Sequence, residues 1–194
     1  MTASIADIAG IIQGVGSLFA IVAAIWIYAK QYQDRKADDE AETVAFVQAV
    51  RDEIHALLGL YERQIGPALR SLEAGKGFHY FYPVSADALT VYNSASNLVG
   101  KIRDPKLRRL IVESYALAKG IISSYQMNNQ LLADNERLAL TYRQDDRAKV
   151  LATWEQRLAE YAVGLKEQDE RLSESVKELL ERAERWLASR SAAR

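Results

Sequence analysis

Hydrophobic and polar positions divide this chain into two regimes. From Ile8 to Ala29 there is a run of 22 residues without a charged side chain, and beyond it apolar residues recur at three- and four-residue steps among charges. A helix of that first run spans roughly 33 Å at 1.5 Å per residue, which matches a hydrocarbon core about 30 Å thick. The run predicts a transmembrane helix, closed by Trp26 and Tyr28, whose amphipathic rings suit the headgroup level, and by Lys30. No Gly or Pro occurs from Ser17 to Leu58, and Val44, Val47, Val50, Ile54, Leu57, Tyr61 and Ile65 draw a single stripe. The first helix is therefore predicted to run unbroken from about Ile5 to Ile65, with Gly66-Pro67 ending or kinking it and Gly75-Lys76-Gly77 breaking the chain.

The remaining pattern is helical too. Phe78-His79-Tyr80-Phe81-Tyr82-Pro83 is too short for a helix and ends in Pro; it reads either as a binding surface or as a plug closing one end of a bundle. Ser85 is the expected N-cap of a helix through Leu89, Tyr92 and Val99, and Asp104-Pro105 starts the next, with Asp at the cap and Pro at the first helical position. Its stripe of Leu107, Ile111, Leu117, Ile121 and Tyr125 meets Asn128-Asn129, which predicts either a bend or a buried polar contact. After a third start at Asp145-Asp146, Leu151, Trp154, Leu158, Tyr161, Leu165, Gln168 and Leu172 alternate by three and four, and the stripe continues after a phase slip through Val176, Leu179, Ala183 and Trp186. The expected fold class is all-α: an N-terminal transmembrane helix (residues 1–30, the anchor) running into a long helix of an antiparallel helical bundle (residues 31–194).

Within the uncharged run, a 100° projection gathers Gly10, Gln13, Gly14 and Ser17 on one small-residue face, with Gly10 and Gly14 as a GxxxG pair. That face predicts self-association or docking to another membrane helix, although small residues are common in spans and Ile21 intrudes. A cleaved signal peptide would instead carry a basic n-region, whereas the only charges before the run are Asp7 and the terminal amine. Lys30, Arg35 and Lys36 follow the span and no Lys or Arg precedes it, which places the N-terminus outside and the C-terminal domain in the cytoplasm.

Composition narrows the chemistry. With no Cys there is no disulfide framework and no thiolate nucleophile or metal ligand. Asp52 and His55 have the i, i+3 spacing of a bundle metal site, but the only other histidine, His79, lacks a carboxylate three residues before it. Phosphate loops, HExxH and GxSxG are absent. No cofactor, metal or catalytic group is therefore expected. The net charge of −1 conceals an excess of basic residues from 66 to 144 (ten against six), concentrated in Lys101, Arg103, Lys106, Arg108 and Arg109. Such a cluster suits an anionic partner or a solvated helix start, and no fold motif accompanies it that would favour nucleic acid. Tyr80, Phe81, Tyr82, Arg108 and Arg109 are the candidate contacts for a protein partner.

The stretch Tyr92-Asn93-Ser94, then Leu98-Val99-Gly100-Lys101-Ile102-Arg103-Asp104, Leu107, Ile111-Val112 and Tyr115 resembles a pattern in bacterial single-span proteins of uncharacterised role, some of them in prophage or mobile-element settings. The resemblance covers the middle of the chain and carries no ligand or catalytic residues. It implies a bacterial inner-membrane protein connected with phage defence or exclusion. The leading expectation is a non-enzymatic membrane-anchored helical scaffold or adaptor that oligomerises and binds a protein partner. The alternatives are a holin-like or toxin-like effector that perturbs the bilayer, and a metal-dependent bundle enzyme.

Overall fold

The computed structural model describes the backbone of residues 5–83, 88–141 and 144–192, and the side chains of 24–83, 88–137 and 147–192. The elements are α1 (Ile5–Gln64), α2 (Gly66–Arg70), α3 (Thr90–Ala95), a 3₁₀ segment (Ser96–Lys101), α4 (Pro105–Thr141) and α5 (Gln144–Ser191). No strand occurs among the described residues, so the chain is all-α. It divides into two compact units, Met1–Val44 and Ala45–Arg194.

The first unit is helical from Ile5 onward. Its described side chains include Ile25, Trp26, Ile27 and Tyr28, which are 49–72% exposed. Lys30 lies with its Nζ 5.6 Å from the centre of the Trp26 ring, close enough for a cation–π attraction. Among the described residues no helix is long and apolar enough to cross a membrane. Most of the expected span, residues 8–23, lies outside the described side chains. Gly10, Gln13, Gly14 and Ser17 fall in that part, on helical backbone.

The second unit is a bundle of the C-terminal part of α1 with α4 and α5. The expected α1 stripe is real: Val47, Val50 and Ile54 are buried, and Ile65, just beyond the helix end, is fully so. α4 starts where the sequence placed it, with Asp104 Oδ1 accepting from the Leu107 N–H at 3.0 Å. It then continues past Asn128-Asn129 without a break. α4 and α5 are antiparallel, since Ser124 pairs with Gln168 and, further back on α4, Ser114 pairs with Ser175, further on in α5. The buried Ser114–Ser175 hydroxyl pair (2.8 Å) satisfies both groups where these helices face each other.

α1 and α4, by contrast, run parallel. Glu53 bonds Tyr115 and Tyr61 bonds Tyr125, so partners advance together along both helices. Residues 65–83 and 88–104 lie between the two helices and return to the level of Glu53, where Thr90 and Val91 meet α1, before α4 begins. Part of that return is the extended aromatic segment, held to α4 by two carboxamides. Asn128 Nδ2 donates to the carbonyls of Phe78 (3.2 Å) and Tyr80 (3.3 Å), and Asn129 takes the Tyr82 N–H and donates to the Tyr82 carbonyl. The two asparagines are thus a buried polar contact, and Asn128 is fully buried.

The antiparallel bundle expected from the sequence holds for α4 and α5 but not for α1 and α4. Two further sequence expectations need correction. The helix expected from Ser85 to near Gly100 is short and divided: it starts at Thr90, and turns to 3₁₀ geometry at Ser96. Ser85 itself lies outside the described residues. The start is fixed instead by Leu89 in the left-handed region (φ 71°) and by Glu53 of α1, which accepts from the Val91 N–H (2.8 Å) and the Thr90 hydroxyl (3.0 Å). A remote carboxylate takes the role of a local cap. The second correction is to the phase slip in α5. Leu158, Ala162, Leu165, Asp169, Val176, Leu179, Ala183 and Trp186 are buried and Leu172 packs against the core, giving one uninterrupted alternation of fours and threes. From Leu158 on the seam runs through Ala162 and Asp169 rather than Tyr161 and Gln168, which moves the change of phase back to the steps between Trp154, Leu158 and Ala162. A charged residue at a core position broke the apolar pattern.

Candidate functional site

Asp169 is only 1% exposed, in the middle of a hydrophobic seam. A carboxylate there needs partners. Tyr61, on the last turn of α1, donates to its Oδ1 at 2.7 Å, and Arg70 Nε stands 3.5 Å from its Oδ2. The Tyr61 hydroxyl has one proton, which it gives to Asp169, so the 2.9 Å contact between Tyr61 and Tyr125 is donated by Tyr125. The result is a directed relay, Tyr125 to Tyr61 to Asp169, linking α4, α1 and α5. Arg70 is tied further to both carboxylate oxygens of Glu62 at 2.6 Å and to the Gly66 carbonyl at 3.1 Å.

Burial, reinforced by the tyrosine pair and by Asp169, pushes the Tyr61 hydroxyl far above the ordinary phenol range. Burial likewise pushes Tyr125 up to about 12. At neutral pH these phenols are therefore neutral. They serve as hydrogen-bonding groups.

Next to the relay is a cavity of about 270 Å³. α1 contributes Leu57 and Tyr61 to its wall, α4 Ile121 and Ile122, and α5 Leu172 and Val176. Tyr82 and Pro83 of the returning segment complete one side, with the Tyr82 ring 5.3 Å from that of Tyr125. None of the sixteen lining residues is Asp, Glu, Lys or Arg. The site forms because α1 and α4 meet here through long aromatic side chains, whose hydroxyls touch while the aliphatic positions around them leave space.

Two further polar junctions hold the walls. Glu53 accepts from Tyr115 at 2.6 Å as well as capping α3, and burial followed by this bond pushes the Tyr115 phenol well above its usual range. Tyr92 stacks on Tyr115 with centroids 4.3 Å apart. At the other end Glu155 of α5 receives the Gly77 N–H at 3.0 Å and His79 at 2.7 Å. The Gly77 amide, opposed by burial and aided by His79, holds the Glu155 carboxyl below its usual range. A Cβ at Gly77 would lie 2.7 Å from Leu158 Cβ, so glycine is what allows the chain to lie this close to α5.

The candidate partner residues separate in space. Tyr80 and Phe81 are 44% and 62% exposed, while Tyr82 is half-buried against the cavity. Arg108 donates to the Ile102 carbonyl at 2.5 Å. Arg109 borders a hollow shared with Glu113, Glu174 and Glu178, and Lys106 pairs with Glu178 at 3.3 Å. Lys106 and Arg109 of the basic cluster therefore face acids of α5, a compensation invisible when charge is summed along the sequence. Asp52 and His55 are exposed, and Asp52 accepts from Arg51 at 2.7 Å. No group of three or more His, Asp or Glu suited to a metal occurs among the described residues.

Sequence reasoning missed Asp169, Glu53 and Glu155, each of which looks like an ordinary surface acid. Only Asp169 left a trace, as a residue that together with Ala162 keeps the α5 alternation continuous from Leu158 onward. No protein-family model matches the chain, and no curated protein or solved structure matches it.

Proposed function

We propose that this protein is a non-enzymatic, membrane-anchored helical adaptor, whose C-terminal bundle binds a protein partner at the bilayer surface. The observation that carries the reading is the uncharged run of residues 8–29, on the same helix that supplies α1 of the bundle. Trp26, Tyr28 and Lys30 at its end are the residue types that favour the membrane interface. Ile25, Trp26 and Tyr28, each more than 60% exposed, are groups that a lipid interface would cover. Tethering raises the effective concentration of the bundle for membrane-bound partners. Gly10, Gln13, Gly14 and Ser17 are assigned to association within the membrane, and Tyr80, Phe81, Arg108 and Arg109 to the partner. The Gly-rich face and the bacterial inner-membrane setting implied by the resemblance belong to the same proposal, with the N-terminus outside.

Carbonate extraction of membranes from expressing bacteria tests the anchor. The chain should stay in the pellet, and replacing Ile11, Val15, Leu18 and Val22 together by Ser should release it. Recovery of the unmodified chain in the carbonate supernatant would refute the anchor. Capture of the same prey by wild type and by Tyr80→Ser with Phe81→Ser would remove the aromatic pair from the contact.

A further inference from the structure

The cavity between α1, α4 and α5 has a chemistry that the adaptor reading does not use. Its walls are mostly aliphatic and it is half open to solvent, so water that enters finds few polar partners and an apolar group would be favoured in its place. A closed apolar cavity of about 150 Å³ takes up benzene, and by volume alone a space of about 270 Å³ has room for roughly ten to twelve non-hydrogen atoms. Among the described lining residues there is no Lys, Arg, Asp or Glu, so neither an anion nor a cation finds a counter-charge on them. Asp169, one hydroxyl behind Tyr61, further opposes a carboxylate.

The polar groups of the described lining are the hydroxyls of Tyr61, Tyr82 and Tyr125 and the exposed carboxamide of Gln64. Tyr61 gives its proton to Asp169, and Tyr125 gives its own to Tyr61. What Tyr125 retains is acceptor capacity on its oxygen. We propose that this cavity is a binding site for a small neutral amphiphile with an apolar body and a single hydroxyl or N–H donor directed at the Tyr125 oxygen. A medium-chain primary alcohol has that chemistry; the corresponding fatty acid does not.

The test uses the full chain in lipid nanodiscs and a decanol analogue carrying a diazirine in its alkyl chain, with adducts mapped by mass spectrometry. Labelling of the peptides containing Ala118–Tyr125 and Leu172–Val176 should saturate and be competed by decanol, and decanoate should compete at least about tenfold less well, having no counter-charge to meet. Ala118→Leu and, separately, Val176→Phe fill the space and should each remove this labelling, with helix content checked by circular dichroism. Tyr125→Phe should weaken competition by decanol about fivefold, the effect of one neutral hydrogen bond, and leave competition by its methyl ether, which has no donor, unchanged. Non-saturable labelling, equal competition by decanoate, or labelling that survives in both folded filling variants would overturn the proposal.

Discussion

Removing either end of the buried Tyr61–Asp169 bond should cost much more than replacing both ends. Tyr61→Phe deletes the 2.7 Å donor to a carboxylate that is 1% exposed, leaving Asp169 with Arg70 Nε at 3.5 Å. A hydrogen bond to a charged group contributes about 1.5–3 kcal/mol, and Tyr125 loses its acceptor as well, so a loss of about 2–3 kcal/mol is expected. Asp169→Ala should cost a similar amount: Arg70 keeps Glu62 and is 44% exposed, so its charge is not stranded. The two changes act on one bond, and the double variant should therefore fall short of additivity by about 1.5–2 kcal/mol. Asp169→Leu with Tyr61→Phe should return to within about 1 kcal/mol of wild type, because an apolar residue at this point completes the heptad seam. The assay is urea unfolding of the full chain in mild detergent on a Trp26→Phe background, so that Trp154 and Trp186 report on the bundle alone. Additivity within about 0.5 kcal/mol, or a Leu/Phe variant as unstable as either single change, would refute the assignment of Asp169 as a core residue held by Tyr61.

Three other outcomes follow from the remaining polar junctions. Asn128→Ala leaves the buried Phe78 carbonyl and the partly buried Tyr80 carbonyl without their donor and should destabilise by about 2–3 kcal/mol, with faster proteolysis near Tyr80 and Phe81; unchanged cleavage would show that the carboxamide does not hold the segment. Burial opposes the charge of Asp104, but the Leu107 N–H and then Arg182 (2.6 Å) outweigh it and hold its carboxyl below the ordinary 3.8. Its stabilisation is thus fully present above about pH 4 and lost as pH falls through the lowered value; acid unfolding curves of Asp104→Asn should be flatter there, and identical curves would contradict the assignment. Tyr125, pushed up to about 12, and Tyr61 and Tyr115, pushed further, should give no phenolate absorbance at 295 nm as the pH is raised to about 10, the ordinary phenol value. Since the unfolded chain ionises first, stability falls as pH rises above about 10, and Tyr125→Phe should reduce that alkaline slope.

Much of this bundle is readable from periodicity. The α1 stripe, the end of α1 before Gly66-Pro67, the Asp104-Pro105 start and the heptads of α5 are local patterns, because a helix presents every third or fourth residue to one face whatever it later meets. The sequence also exposes the uncharged run at residues 8–29 and the lack of a recognisable catalytic motif. The direction in which α4 runs relative to α1 is not local: it depends on the path of residues 65–104, where aromatic and polar residues follow no helical period.

What the sequence by itself determined was the all-α class and most helix limits, which depend on interactions within a few turns. The tertiary structure alone decided which acids are buried. Asp169 finds Tyr61 more than a hundred residues away, Glu53 finds the start of α3 and Tyr115, and Glu155 finds Gly77 and His79. The cavity beside the tyrosine relay belongs to the same category. A carboxylate's environment is set by what packs over it, and an empty volume by the side chains that fail to fill it, so neither is written in the spacing of residues along one helix.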